Sequence, residues 1–115
     1  MRKQKILTKE IERRLKKYPI YSQENKGAEA TVVFRIFHPW SKFSFYILEG
    51  EKQENGDWLF FGYNPYCEGE EYGYLTLSQI ESVVININGF LFPIERDIFV
   101  KGDKMLYEEL LTYNE

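Results

Sequence analysis

The chain has 115 residues, 43% apolar and 29% charged, with a formal net charge of −3 and one cysteine. This length gives one domain with one core, spanning 1–115, and the composition suggests neither a disordered chain nor a membrane protein. One thiol excludes an internal disulfide, no run has the length of a membrane span, and "MRKQKILTKEIERRLKK" has no apolar signal segment, so the expected compartment is the cytoplasm.

Aromatic residues reach 17%, from nine Phe, nine Tyr and two Trp, which argues for a substantial sheet. Thr8 reads as the N-cap of a helix from Lys9 to Lys17, with Ile11 and Leu15 as its apolar stripe and Pro19 beyond its end. "IYSQENKGAEA" follows as a looser segment. "TVVFRIFH" reads as a strand with Val32, Phe34 and Ile36 on one face and Val33, Arg35 and Phe37 on the other.

"KFSFYILE" reads as a second strand. It sets Phe43, Phe45 and Ile47 against a mostly polar face of Lys42, Ser44, Tyr46 and Glu49 that Leu48 interrupts. Asn55-Gly56 turns the chain into a third strand, "DWLFFGYN", and "EYGYLTL" is a fourth candidate. Ser78 and Glu81 predict a capping box for a short helix through Val84, carrying Ile80, Val83 and Val84. "DIFV" is a short strand candidate, and Lys104 to Tyr113 reads as a terminal helix with Leu106, Leu110 and Tyr113 in register. The predicted fold class is α+β: an antiparallel meander of three to five strands with N-terminal, middle and C-terminal helices.

Charge is distributed unevenly. Between Met1 and Lys17, eight basic residues stand against Glu10 and Glu12; between Glu49 and Glu71, seven acidic residues stand against Lys52. Such polarity bears on partners and association rates, not on fold.

Catalytic chemistry finds few of its usual residues. His38 and Cys67 are the only histidine and cysteine, too few for a His/Cys zinc centre, and acidic neighbours in "YCEGEE" would raise the Cys67 thiol pKa. His38, beside Pro39 at a strand end, reads as a turn-facing imidazole. No glycine loop cradles a phosphate, and the acidic run lacks the alternation of a calcium loop, so no cofactor and no metal are expected. Glu95, Arg96 and Asp97 read as a structural charge cluster guiding the chain after Pro93; an enzyme centred on them is the alternative.

The motifs "LTKEI", "YSQENKG", "FHPWSKFSFYILEG", "FFGY", "YGYLTLSQIESV" and "FPIERDIFV" follow one another in an order and spacing that resemble the domain-of-unknown-function family 2958. These are small bacterial proteins often encoded on plasmids, phages and other mobile elements. The resemblance implies a mobile-element setting and supplies no catalytic residues.

The resulting expectation is a small non-enzymatic protein-binding module of a mobile element, an inhibitor of a host defence system of anti-CRISPR or anti-restriction type. It would act on a partner with a basic surface through Glu51, Glu54, Asp57, Glu68, Glu70 and Glu71, with complementarity that weakens as salt rises. The alternative is a nucleic-acid-binding accessory protein using Lys3, Lys5, Arg13, Arg14 and Lys17.

Overall fold

Aromatic and β-branched runs form the first four strands at their expected places: β1 Phe34–Phe37, β2 Ser44–Lys52, β3 Trp58–Tyr63 and β4 Tyr72–Thr76. The computed structural model, which describes residues 5–66 and 71–113, adds a hairpin of β5 Val84–Ile87 and β6 Phe90–Pro93, then a two-residue strand β7, Glu95–Arg96. The main sheet has the order β4-β3-β2-β1-β7 with every pair antiparallel, while β5 and β6 form their own two-stranded sheet.

Three α-helices complete the α+β architecture: α1 Lys9–Leu15, α2 Leu77–Ser82 and α3 Leu106–Tyr113. Thr8 caps α1 as its position predicts, its hydroxyl accepting the Ile11 N–H at 3.2 Å. Ile11 and Leu15 then enter a core on one face of the sheet with Val33, Phe34, Ile36, Phe45, Ile47, Phe60 and Ile80. On the opposite face Ala30, Val32, Tyr46, Leu48, Val100 and Leu106 form a second core. Each large side chain fully withdrawn from water in these layers contributes about 1.5–3 kcal/mol.

Burial on both faces explains a difference from the expected polar row of β2. Ser44, Tyr46 and Glu49 are buried, because Leu106 of α3 and the chain at Ala30 cover the face that alternation assigned to water. A bulge between Ile47 and Glu49 also matters. Strict alternation would send Glu49 toward the Phe45 face; the extra residue lets it share the Tyr46 face with Leu48.

Four further expectations are corrected. Val32 and Val33 exchange faces, since pairing in β1 begins only at Phe34. The capping box of α2 is Thr76 and Gln79, not Ser78 and Glu81. Ser78 instead donates its hydroxyl to Asp57 Oδ2 at 2.6 Å and its N–H to Oδ1 at 3.1 Å, so Asp57 fastens α2 to the β2–β3 turn. "DIFV" is a turn: Asp97 Oδ1 accepts the Phe99 N–H at 2.9 Å, an Asx arrangement that ends pairing after Arg96 and leaves Ile98 and Phe99 exposed.

The segment "NINGF" closes the β5–β6 hairpin through Asn88 and Gly89, both at positive φ, as a two-residue turn requires. The fourth is His38, which faces the turn with one ring nitrogen only. It is buried, its Nδ1 accepts the Trp40 N–H, and its Nε2 donates to the Phe92 carbonyl at 3.0 Å, which ties β6 to the end of β1.

Candidate functional site

Strands β3 and β4 leave one face only partly covered. In their register Phe61 lies opposite Tyr74 and Tyr63 opposite Tyr72. The rings form a zigzag ladder, with centroids 4.9 Å apart for Tyr63–Tyr72, 5.9 Å for the stacked Phe61–Tyr72 pair and 5.0 Å for Phe61–Tyr74. Cross-strand pairs of this kind stabilise a sheet by roughly 0.2–1 kcal/mol each. Packing alone does not require Tyr72 and Tyr74 to stay 40% and 48% exposed at the end of that ladder.

Across from them runs the chain from Tyr21 to Gly27, and a groove of about 320 Å³ opens between the two. Its wall includes Tyr21, Glu24, Glu49, Phe61, Tyr72 and Tyr74. The volume is that of a small-ligand or side-chain pocket.

A buried acid holds the far wall. Glu49 is 2% exposed, and its two carboxylate oxygens accept the N–H groups of Tyr21 and Gln23, both at 2.8 Å. The Gln23 amide nitrogen in turn donates to the carbonyls of Leu48 and Thr31, and its oxygen accepts the Thr31 N–H. Thus clamped, Tyr21 adopts φ of 74°. For a bulky non-glycine residue that left-handed conformation costs about 1–3 kcal/mol, and it persists where surrounding bonds over-determine it. The strain is held at a tyrosine whose ring is 68% exposed, beside an open groove.

The groove is electronegative. Partial burial raises the Tyr74 hydroxyl above its usual pKa, and the neighbouring Tyr21 hydroxyl and the charges of Glu49 and Glu24 raise it further. Burial raises Tyr63 and Tyr72 likewise, with Glu71 as the next cause in each.

Among the described residues, the sequence-predicted acidic residues stand at two separate places. Glu51 and Glu54 are exposed at the β2–β3 turn, and Asp57 there is bound to Ser78 and the Trp58 N–H, which hold its carboxyl below the ordinary value. Glu71 immediately precedes β4 at the opposite end of the meander, and Glu68 and Glu70 lie outside the described residues. The six residues of β3 separate the two ends by roughly 20 Å at the usual rise per strand residue. Among the described residues, Glu71 is the predicted acid beside the aromatic ladder.

Among the predicted basic residues, Lys3 lies outside the described residues, and Lys5, Arg13 and Lys17 are exposed. Arg14 is a tether: it pairs with Glu10 at 2.9 Å and reaches the carbonyls of Val33 and Val100. The cluster Glu95, Arg96 and Asp97 is drawn apart. Arg96 donates to the carbonyls of Lys5 and Ile6 and so fastens the segment before α1, whereas Asp97 ion-pairs with Arg35 at 2.9 Å on the other face.

Arg35 anchors a buried polar knot. Its guanidinium lies over the rings of Phe37 and Tyr46 at 4.9 and 5.4 Å, and its Nε donates to the Ser44 hydroxyl at 2.9 Å. Glu109 of α3 is buried nearby, and burial pushes its carboxyl pKa up. Lys104 and Arg35 act the other way, while Asp97 and Asp103 add to the rise. The folded state therefore holds this proton more tightly than the unfolded chain. Stability falls as pH climbs from the ordinary value of 4.5 through the raised folded value, then levels off. Glu109→Gln is expected to gain stability over the parent as pH rises through this window, read as a widening gap between melting-temperature curves; parallel curves would contradict it.

Sequence reasoning missed Glu49 and Tyr21 as a pair, because 28 residues separate them. The available signal was an acid set in the apolar run of β2 and the Tyr-Gly-Tyr alternation of β4.

Residues 6–111 match the model of a family described as "Protein of unknown function (DUF2958)". Comparison with curated proteins and with solved structures finds no match.

Proposed function

The chain belongs to the DUF2958 family, and we propose that it is a non-enzymatic protein-binding module whose working surface is the aromatic groove between β4 and Tyr21. The observation that carries this reading is the clamp: a buried carboxylate holds a strained backbone so that an exposed tyrosine stands opposite two more. Exposed tyrosines are the residue type that interfaces favour, since they offer large, rigid area at low entropic cost. The acids of the groove and Glu71 support a partner with a basic surface.

The narrower reading is a mobile-element protein that inhibits a host defence system, and its support is the setting that the family resemblance implies. Some residues of the competing readings are employed by the fold: Arg14 and Arg96 hold backbone carbonyls, and Asp97 holds Arg35.

The test compares partners captured from cells by the parent, by Tyr72→Ala/Tyr74→Ala and by Glu51→Lys/Glu54→Lys. Loss of the specific partner by at least about tenfold, worth roughly 1.4 kcal/mol, is expected for the tyrosine variant alone. Capture unchanged by the tyrosine variant and lost on charge reversal would return the activity to the β2–β3 turn.

A further inference from the structure

The chemistry of the groove narrows what enters it. Its wall includes Tyr21, Phe61, Tyr72 and Tyr74, and its charged members are Glu24 and Glu49. No lysine or arginine belongs to that wall among the described residues; Lys26, between the wall residues Asn25 and Gly27, is exposed. Aromatic faces present negative potential to whatever lies over them.

Glu49 uses one acceptor position on each oxygen for the Tyr21 and Gln23 N–H groups, which are dipoles and do not cancel a full charge. Glu24 is exposed at the rim. A phosphate or a carboxylate placed here meets like charge, and a purely apolar chain leaves the buried Glu49 without a counter-charge.

An arginine side chain meets every requirement together. Its stem covers ring surface, its planar guanidinium stacks on tyrosine, and its in-plane N–H groups reach a carboxylate. A space of about 320 Å³ fits a side chain with its flanking backbone, not a folded surface. The geometry points to an arginine of the partner, presented on a basic segment, as the occupant of the groove. This rests on the groove being the partner-binding surface, and it adds the chemistry of recognition.

The experiment titrates the full-length, isotope-labelled chain with a blocked Gly-Arg-Gly peptide and with its citrulline counterpart, which keeps the shape and removes the charge. The arginine peptide is expected to shift the resonances of Tyr21, Phe61, Tyr72 and Tyr74 and to bind at least about tenfold more tightly than the citrulline peptide, a difference of roughly 1.4 kcal/mol. Glu24→Gln, an exposed substitution that leaves the fold intact, is expected to remove most of that advantage, and added salt to reduce it. Equal binding of the two peptides at the groove would overturn the inference and leave the binding surface standing. Shifts elsewhere, or none, would overturn the inference too. Partner capture that survives Tyr72→Ala/Tyr74→Ala would separately defeat the proposed function.

Discussion

Asp97→Ala is expected to destabilise the protein by about 3–5 kcal/mol, the usual consequence of removing one member of a buried ion pair. Arg35 and Asp97 side chains are 12% and 5% exposed, and the guanidinium lies between the rings of Phe37 and Tyr46. With its carboxylate gone, the charge stays in a site that offers little water. The same change removes the acceptor of the Phe99 N–H and frees the turn that carries the chain from β7 toward α3. Urea unfolding of the parent, of Asp97→Ala and of Arg35→Met/Asp97→Ala measures it. The double variant is expected to recover part of the loss, because an apolar side chain carries no desolvation penalty. A cost below about 1 kcal/mol for Asp97→Ala would mean the pair acts like a surface ion pair.

Gly62→Ala is the second large effect. Gly62 sits in β3 opposite Ile47 of β2, where an added Cβ meets the Tyr46 carbonyl oxygen and lies 2.9 Å from the Phe45 ring. A flexible side chain can yield to such an approach. A backbone oxygen in a central strand cannot, so the two strands must separate beside the bulge. The expected cost is at the upper end of the roughly 1–3 kcal/mol typical of overpacking, read as a drop in melting temperature on the order of 10 °C. Gly73, opposite it on β4, has open space around an added Cβ, so Gly73→Ala is the matched control and is expected to change little. Equal melting temperatures for the two variants would contradict the account.

The contrast between these two glycines marks how far the chain could be read in advance. Both stand in strand-like runs flanked by aromatic residues, and only the register of β2 against β3 tells them apart. Local chemistry was legible: the Thr8 cap, the Asn55-Gly56 turn and the period-two runs of the meander place their elements by nearest-neighbour preference. What depended on distant partners was not. Asp57 reaches Ser78, Asp97 reaches Arg35 across 62 residues, and Glu49 reaches Tyr21; each takes a charge that sequence assigned to solvent or to its neighbours.

The candidate site shows the same division. Reading charge along the sequence joined Glu51 to Glu71 into one acidic surface, whereas β3 sets these two residues at opposite ends of the meander. Aromatic residues were visible as sheet formers but not as a groove. The groove exists because Ala30, Leu48 and Leu106 complete the core below it and the Glu49 clamp raises Tyr21 beside it.

The most direct measurement of the central claim is photo-cross-linking in cells, with Tyr72→p-benzoylphenylalanine in one sample and Glu54→p-benzoylphenylalanine in another. Covalent capture of a protein partner from position 72, with none from position 54, is the expected result. Capture from position 54 with none from position 72 would contradict it.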